Sequence, residues 1–364
     1  MRIGVPKEIK NHEYRVALTP PSAAELVAAG HEVLVQTGAG SGIDFEDADY
    51  QAVGARIVGT AREVFAGADM IVKVKEPQPE EIAMLEPRHV LFTYLHLAAD
   101  KAQAEGLMES GATCIAYETV TSRLGSLPLL KPMSEVAGRM SVQVGAHYLE
   151  KEQGGRGVLL GGVPGVAPAR VAILGGGVSG VNAAQMAVGM RADVTIYDIS
   201  NDRLAELDMF FGSQIKTAYA SSGAIAAAVA RAHLVIGAVL IPGAAAPKLV
   251  TREMLKTMKR GSVLVDIAID QGGCFETSHA TTHEDPVFEV EGVIHYCVAN
   301  MPGAVARTSA FALNNATLPF ALRLANMGAE GAMAADPHLA NGLNVSGGKI
   351  RHPAVASALN LPLN

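Results

Sequence analysis

The sequence has no tryptophan, and aromatic residues make up only 5% of its 364 positions. Alanine and glycine are abundant instead, with 38 glycines, a composition that suits helices packed closely on sheets. Hydrophobic residues reach 49% and charged residues 18%, which excludes a disordered or fibrous protein. The length exceeds what one core usually supports, so two domains are expected.

Cysteine is also scarce, and no excess of positive charge is present. Three scattered cysteines are too few for a disulfide framework or a zinc site. An odd number of thiols suits a reducing compartment, so a cytoplasmic protein is expected. The formal net charge is −7 and no basic run occurs, which argues against a nucleic-acid partner. His279 and His283 lie in a polar Thr-rich stretch that favours a surface loop, and no metal site is expected.

The sequence offers no convincing membrane or export segment. Its first eight residues carry charges where a signal peptide needs an apolar core. The most apolar stretch, residues 158–181, contains Pro164, Pro168, Arg170 and many glycines, so it does not suit a transmembrane helix. Neither secretion nor membrane insertion is expected.

Strands and helices alternate along the first hundred residues and again from about residue 170, which predicts two mostly parallel, doubly wound α/β sheets. Lys131–Glu150 is predicted as a long helix, a second is predicted from about Ser309, and Thr37–Tyr50 is interpreted as a loop. The expected strands are Arg2–Val5, Glu32–Gln36, Ala55–Val58, Met70–Lys73, Val90–Thr93, Val171–Leu174, Asp193–Tyr197, His233–Gly237 and Ser262–Asp266.

The most informative motif follows the strand that begins at Arg170. There Gly175-x-Gly177-x-x-Gly180 has the spacing of a dinucleotide fingerprint and leads into a predicted helix. The first glycine permits a tight turn, the second lets the backbone approach a pyrophosphate, and the third lets helix and strand pack closely. A glycine-rich turn without a ligand is the plain alternative.

An acidic residue ends the strand that comes next. Asp198 stands 18 residues after Gly180, where its carboxylate can accept the ribose hydroxyls of NAD and would repel the 2′-phosphate of NADP. NAD is therefore the expected cofactor. Arg203 leaves an alternative open, because arginine could accommodate a 2′-phosphate or pack on the adenine.

These patterns predict a domain inserted within a domain. Residues 1–130 and 305–364 are expected to form a discontinuous catalytic domain, and residues 131–304 an NAD-binding Rossmann-like domain. The two long helices would bridge the domains, and the active site would lie in the cleft between them.

Four polar residues suit a site that transfers hydride from a small amino acid, which needs a cation for the carboxylate and a proton-transferring group. Arg15 lies in a loop of mixed charge, Lys75 and His96 follow predicted strands, and Asp270 enters a glycine-rich loop. Each also has a plain interpretation: a solvated loop cation, an exposed strand-end lysine, a structural histidine and an unassigned acid, respectively.

Along almost its full length the chain resembles the alanine dehydrogenase/pyridine nucleotide transhydrogenase family, and alanine dehydrogenases in particular. The matching strings occur in family order and carry far more information than the glycine fingerprint. They are RIGVPKEIKNHEYRVALTP, AGAGSGIDFEDADY, VKVKEP, LFTYLHLA, KPMSEVAGRM, VLIPGAAAPKLV, VDIAIDQGGCFE, YCVANMPGAV and NNATLPF.

The resemblance implies reversible NAD-dependent conversion of L-alanine to pyruvate and ammonium, and a homohexamer. It implies that Arg15 and Lys75 bind the substrate, and that His96 and Asp270 are catalytic. The positions implied to contact NAD, beside the three fingerprint glycines, are Ser134, Asp198, Arg203, Val239, Leu240, Ile267, Asn300 and Met301.

Two positions depart from the family pattern. Ala220 stands where a serine that contacts the adenosine is expected, and Ser221 could replace it. Ala306 stands where proline is usual, which could loosen the entry to the last long helix.

Three other functions remain open from the sequence. The chain could be the nucleotide-binding subunit of a proton-translocating transhydrogenase, or a lysine- or saccharopine-forming dehydrogenase with a larger substrate pocket. It could also be a catalytically silent NAD-binding protein, although the presence of all four polar residues argues against silence.

Overall fold

The computed structural model describes residues 1–239 and 246–363, and the chain divides into two compact units. Unit 1 comprises Met1–Met133 and Val305–Asn364, and unit 2 comprises Ser134–Ala304. Each unit is built on a mostly parallel β-sheet with helices between the strands. The α/β class expected from the alternating pattern is confirmed.

The first part of unit 1 alternates short strands and helices. Its strands are β1 (Arg2–Val5), β2 (Glu32–Gln36), β3 (Arg56–Val58), β4 (Met70–Val72), β5 (Val90–Thr93) and β6 (Thr113–Ala116). Its helices are α1 (Pro20–Ala28), α2 (Asp47–Ala52), α3 (Ala61–Gly67), α4 (Pro79–Ile82) and α5 (Lys101–Ser110), with 3₁₀ turns at Ser41–Ile43, Leu97–Ala99 and Tyr117–Thr119.

The helix α6 (Lys131–Tyr148) contains the division between the units, and unit 2 repeats the alternation after it. Its strands are β7 (Arg170–Leu174), β8 (Asp193–Asp198), β9 (Lys216–Tyr219), β10 (Leu234–Gly237), β11 (Val263–Asp266), β12 (Val287–Val290) and β13 (Val293–Tyr296). Its helices are α7 (Val178–Gly189), α8 (Asn201–Phe211), α9 (Ser222–Val229) and α10 (Arg252–Leu255), with 3₁₀ turns at Lys151–Gln153, Gly212–Gln214, Ile267–Gln271 and Met301–Val305.

The chain then returns to unit 1 through its longest helix. This part contains α11 (Ala306–Ala335), α12 (Pro337–Ala340), β14 (Leu343–Ser346), β15 (Lys349–Ile350) and α13 (Pro353–Leu359). Gly328 has a φ of 71° inside α11, so the helical geometry is interrupted there.

Both sheets have the doubly wound order. In the described part of unit 1 the order is β15-β14-β6-β5-β4-β1-β2-β3, and in that of unit 2 it is β12-β13-β11-β10-β7-β8-β9. The pairs from β6 to β3 and from β13 to β9 are parallel, whereas β14, β15 and β12 add antiparallel edges. The order reverses between β1 and β4 and between β7 and β10, and open α/β sheets bind ligands at such reversals.

The central strands are buried on both faces, as parallel strands covered by helices must be. All residues of β4, β10 and β11 are buried, including Asp266 at the end of β11. Six strands were not predicted: the parallel strands β6, β9 and β13 and the antiparallel strands β12, β14 and β15. Each has two to four residues.

Two features of the helices correct or clarify the sequence analysis. The interpretation of Thr37–Tyr50 as a loop is wrong from Asp47 onward, because α2 begins there with a capping box between Glu46 and Asp49. Tyr50 is buried in α2 and donates a hydrogen bond to the Leu18 carbonyl.

Ala306 is the first residue of α11, where proline and alanine are both well tolerated.

Helix α6 packs closely against α7 because small residues line the contact. A Cβ atom at Gly138 would lie 2.2 Å from the Ser179 carbonyl oxygen. Next to this contact Arg139 donates a hydrogen bond from Nε to Asn182 Oδ1 at 2.9 Å. Since backbone atoms cannot rotate aside as a side chain can, the approach of the two helices depends on glycine.

We expect Gly138→Ala to lower the stability of unit 2 by about 2–3 kcal/mol, because the added methyl group overlaps backbone. The matched control is Gly223→Ala in α9, where a Cβ meets no atom within 4 Å and alanine should be neutral or slightly stabilising. Urea unfolding followed by circular dichroism measures both. Equal denaturation midpoints would contradict the close-contact interpretation.

Candidate active site

Two of the predicted residues of unit 1 lie at the same edge of its sheet. Lys75 follows β4 and His96 follows β5, and these neighbouring strands are parallel. Their carboxyl ends therefore meet, next to the reversal of strand order between β1 and β4. Arg15 lies in the loop after β1 and is only 2% exposed.

Two further side chains link these three residues. The Tyr94 ring stacks on the His96 ring with centroids 5.7 Å apart, and Tyr94 lies near Arg15, since each affects the pKa of the other. Glu76 interacts electrostatically with both His96 and Lys75. The structure thus brings Arg15, Lys75 and His96 into one neighbourhood of unit 1.

Arg15 is held by an acid two residues before it. Its Nε donates to Glu13 Oε1 at 2.7 Å and its Nη2 to Glu13 Oε2 at 2.5 Å, a bidentate pair. Nη1 contacts Met133 Sδ at 3.0 Å. Burial alone would lower the pKa of Arg15, but hydrogen bonds and charge from Glu13 raise it, so the guanidinium stays charged. A buried, oriented guanidinium is well suited to bind a carboxylate.

Lys75 lies beside an acid as well. Its Nζ is 3.4 Å from Glu76 Oε2, and both side chains are almost buried. Glu76 also accepts a hydrogen bond from Lys10. Burial tends to raise the pKa of Glu76, but Lys75, Lys10 and His96 outweigh it and lower that pKa to about 2. Glu76 therefore remains a carboxylate that keeps the ammonium of Lys75 in place.

A second lysine, Lys73, lies two residues before Lys75 and is fully buried. Lys73 Nζ is 3.1 Å from Glu8 Oε2 and 2.7 Å from Glu81 Oε1, and Glu8 also accepts the Val74 N–H at 2.7 Å. Burial opposes the charge of Lys73, but the two carboxylates raise its pKa above the usual value. Lys73 thus ties the loop after β1 to the end of β4 and to α4.

In unit 2 the glycine turn leaves space where a pyrophosphate would lie. Gly175 has a φ of 103°, which favours glycine. A Cβ at Gly180 would lie 1.9 Å from the Gly175 carbonyl oxygen, whereas a Cβ at Gly177 meets nothing within 4 Å. Gly177 is exposed just before the first turn of α7, so this turn fits the phosphates of a dinucleotide.

Asp198 is tied to this turn. Its Oδ2 accepts the Gly176 N–H at 2.7 Å and its Oδ1 accepts the Ser200 N–H at 2.9 Å. Arg203 donates from Nε to the Gly176 carbonyl at 2.7 Å and from Nη1 to Glu206 Oε2 at 2.5 Å. Each carboxylate oxygen of Asp198 retains a lone pair for a ribose hydroxyl, and the charge of Arg203 is partly balanced by Glu206.

Asp270 is exposed in the 3₁₀ turn that follows β11. The turn is anchored by Asp266, which is fully buried and accepts the backbone N–H groups of Ala268 and Cys274 at 3.1 and 2.9 Å. Ser278 Oγ donates to Asp266 at 2.6 Å. Burial raises the pKa of Asp266, although these hydrogen bonds oppose the rise.

The remaining predicted cofactor residues lie at several places in unit 2. Ser134 is in the first turn of α6, Val239 follows β10, and Ile267 begins the turn that carries Asp270. Asn300, with a φ of 61°, directly precedes the buried Met301. Leu240 lies outside the described residues.

Several acids that hold the predicted residues in place were not identified from the sequence. Glu13 and Glu76 had a local signal, because each stands within two positions of the cation that it pairs with. Glu118 had none: it lies 22 residues from His96, and the pairing of β5 with β6 brings it there. Asp266 was visible in the sequence only as an acid at the end of an apolar strand.

The described residues also limit the kinds of site that this part of the chain contains. Within residues 1–239 and 246–363, no three His, Cys, Asp or Glu side chains form a group that could hold a metal ion. No helix in the same ranges is long and apolar enough to cross a membrane.

The two histidines of the Thr-rich stretch contact different groups. His279 stacks on Phe288 with centroids 3.7 Å apart, and His283 lies near the Asn300 carbonyl at 3.2 Å.

Comparison with known proteins gives matches over the whole chain. The family models described as alanine dehydrogenase/PNT, N-terminal domain and C-terminal domain match residues 4–137 and 141–353. A protein of Halomonas elongata named alanine dehydrogenase is 61% identical over 361 residues, which cover 99% of this chain and 97% of that protein.

Solved structures give the same result. A structure named L-alanine dehydrogenase superposes with a TM-score of 0.96 at 54% identity and covers 99% of both chains. A transhydrogenase from Sinorhizobium meliloti has a TM-score of 0.83 at 27% identity, covering 97% of this chain and 100% of the other. The likeness to both shows that each unit of this chain has the Rossmann-like fold of these proteins.

We expect the acid–base behaviour of Glu76 to contribute to stability in a defined pH range. Its pKa is lowered in the folded protein from 4.5 to about 2, so its stabilisation is present above pH 4.5 and is lost as the pH falls toward 2. Glu76→Gln should therefore lower the free energy of unfolding by about 3 kcal/mol at pH 7, with a smaller loss at pH 3.

Urea unfolding at pH 7 and pH 3 measures this difference. Glu105→Gln is the control, because Glu105 pairs with Lys101 at 3.6 Å on an exposed face, and exposed pairs contribute little. A loss for Glu76→Gln that is the same at both pH values would contradict the assignment.

Proposed function

The chain belongs to the alanine dehydrogenase/pyridine nucleotide transhydrogenase family, and on that premise we propose that it catalyses the reversible NAD-dependent oxidative deamination of L-alanine. The overall reaction is L-alanine, NAD⁺ and water giving pyruvate, ammonium, NADH and a proton. The observation that carries the proposal is the proximity of Arg15, Lys75 and His96 within unit 1, in a chain whose relatives over almost its whole length are named alanine dehydrogenase.

We propose that unit 1 binds the amino acid. Arg15 is charged and oriented by Glu13, so a bidentate contact with the substrate carboxylate suits it. Lys75, held beside Glu76, would bind the carboxylate in alanine and the carbonyl oxygen in pyruvate. Together they would fix the position of the substrate Cα, and fixing reactants supplies a large part of enzymatic acceleration.

The proton transfers are assigned to His96 and Asp270. A bound nicotinamide would supply a hydride acceptor for Cα, once the ammonium group of alanine has lost a proton, and iminopyruvate would remain. His96, exposed at the carboxyl edge, would take a proton from the water that adds to the imine carbon, and would return one to the departing ammonia. Asp270 is the second carboxylate available for these transfers.

A pyridine nucleotide is the cofactor that the family and the glycine turn imply, and we propose NAD over NADP. Asp198 lies where it can accept ribose hydroxyls, and its charge would repel a 2′-phosphate. Arg203 is paired with Glu206 at 2.5 Å, which weakens it as a phosphate ligand. Further contacts are proposed from Ser134, Val239, Leu240, Ile267, Asn300 and Met301.

We also propose a cytoplasmic homo-oligomer, a hexamer by family resemblance. Cys114, Cys274 and Cys297 are buried free thiols, which is consistent with a reducing compartment. Light scattering after gel filtration should then give about six times the chain mass of 37.8 kDa. A mass of one or two chains would contradict the hexamer.

The activity predicts rapid loss of NADH absorbance at 340 nm only when pyruvate and ammonium are both present. Omitting either compound should abolish the loss, and NADPH should be a much poorer substrate because of Asp198. Ammonium-independent hydride exchange between NADH and an oxidised nicotinamide nucleotide would instead support the transhydrogenase alternative. Absence of both reactions would support a silent binder.

The assignment of His96 predicts that His96→Ala lowers kcat by about 10²–10⁴-fold, the usual range for loss of general acid–base catalysis. NADH affinity should stay within about twofold, because the proposed cofactor residues lie in unit 2. His147→Ala is a control, since His147 is exposed in α6 and should retain full turnover. Near-normal kcat for His96→Ala would remove this histidine from the mechanism.

A further inference from the structure

The loop that carries His96 is attached to one carboxylate. Glu118 Oε1 accepts the His96 N–H at 2.6 Å and the Leu95 N–H at 3.1 Å, and Oε2 lies 3.2 Å from the same Leu95 nitrogen. No hydrogen bond joins Glu118 to the His96 ring among the contacts of the described residues. The carboxylate therefore acts on the backbone of the loop.

That backbone has a conformation that needs such support. His96 has φ 50° and ψ 33°, in the left-handed region, which is strained for a residue with a Cβ. In this conformation two successive N–H groups point to the same acceptor. Without Glu118 both groups would lose their partner, and the ordinary right-handed or extended conformations would compete.

The direction of the imidazole depends on this conformation. The ring stacks on Tyr94 with an interplanar angle of 10°. Tyr94 is itself fixed, because its hydroxyl donates to the Leu129 carbonyl at 2.6 Å and its ring meets Tyr117 edge-on at 5.0 Å. A change of φ at His96 would rotate the Cα–Cβ bond and move the ring off this surface.

Glu118 is held firmly enough to impose the geometry. It lies in the Tyr117–Thr119 turn directly after β6, and Tyr117 is fully buried. Asn344 Nδ2, at β14, donates to Thr119 Oγ1 at 2.8 Å. Helix α13 packs against the Leu97–Ala99 turn that follows His96. The turn and the loop thus join elements distant in the chain.

We propose that Glu118 is a positioning residue for His96, holding the left-handed backbone that directs the imidazole toward the substrate. The inference rests on the proposed function, since it assigns Glu118 a role in the reaction through His96. It predicts that turnover depends on the hydrogen bonds from the Leu95 and His96 N–H groups to Glu118, and depends little on the negative charge of Glu118.

Three variants of the full-length enzyme test this in the pyruvate–ammonium assay. Glu118→Ala removes both hydrogen bonds and should lower kcat at least tenfold, with the KM for NADH within about twofold. Glu118→Gln should retain kcat within about threefold, because its amide oxygen can occupy the Oε1 position and accept both N–H groups. The double variant His96→Ala/Glu118→Ala should be no slower than His96→Ala alone.

Two controls separate positioning from general loss of structure. Each kcat is normalised to the number of NADH sites titrated by fluorescence, so that unfolded protein is not counted. Glu105→Ala, an exposed carboxylate on α5, should leave kcat unchanged. A purely structural role of Glu118 would lower the number of sites and leave the kcat per site unaltered.

The inference is overturned if Glu118→Ala retains wild-type kcat per site. It is also overturned if Glu118→Gln is as slow as Glu118→Ala, which would assign the effect to charge. A further loss in the double variant, beyond that of His96→Ala, would show that Glu118 acts independently of His96. Failure of the wild-type protein to turn over pyruvate and ammonium is a different result, because it would reject the proposed function itself.

Discussion

The reversal of strand order in each parallel sheet is the constraint on which the rest of the structure depends. Successive crossovers leave β1 in opposite directions, and the same occurs at β7. At each reversal the connecting segments diverge and leave the carboxyl ends of two neighbouring strands accessible. Lys75 and the glycine turn lie at these two places in units 1 and 2, respectively.

The site in unit 1 contains buried cations, and burying a cation costs solvation free energy. A charged group taken out of water must regain its lost solvation from a counter-charge and hydrogen bonds. The counter-charges are carboxylates that form ion pairs with the cations. Glu13 pairs with Arg15, Glu76 pairs with Lys75, and both Glu8 and Glu81 pair with Lys73. Removing one partner is costly because it leaves a buried charge unpaired, but an intact pair adds little net stability compared with apolar residues. What each pair does is fix the direction of its cation. We infer that orientation of the proposed substrate ligands is their main benefit.

In unit 2, close backbone contacts and hydrogen bonds to the backbone hold the proposed cofactor-binding turns in place. Its glycine turn is rigid because Gly180 and Gly175 approach too closely for any side chain, and Asp198 and Arg203 both hold Gly176. The turn that carries Asp270 is likewise held by Asp266, which accepts hydrogen bonds from the Ala268 and Cys274 N–H groups. In both cases a carboxylate at the end of a strand accepts N–H groups of a turn. Asp198, at the end of β8, holds the turn that follows the neighbouring strand β7, whereas Asp266 holds the turn that follows its own strand.

The sequence by itself determined the α/β class, most of the parallel strands, the glycine turn and the family. These depend on local patterns and long matching strings, which need no knowledge of distant contacts. Only the tertiary structure revealed α2 within Thr37–Tyr50, the parallel strands β6, β9 and β13, the short antiparallel edge strands, and the role of Lys73 as a buried link. It alone placed Glu118 beneath the His96 loop, because two residues 22 positions apart become neighbours only when β5 and β6 pair.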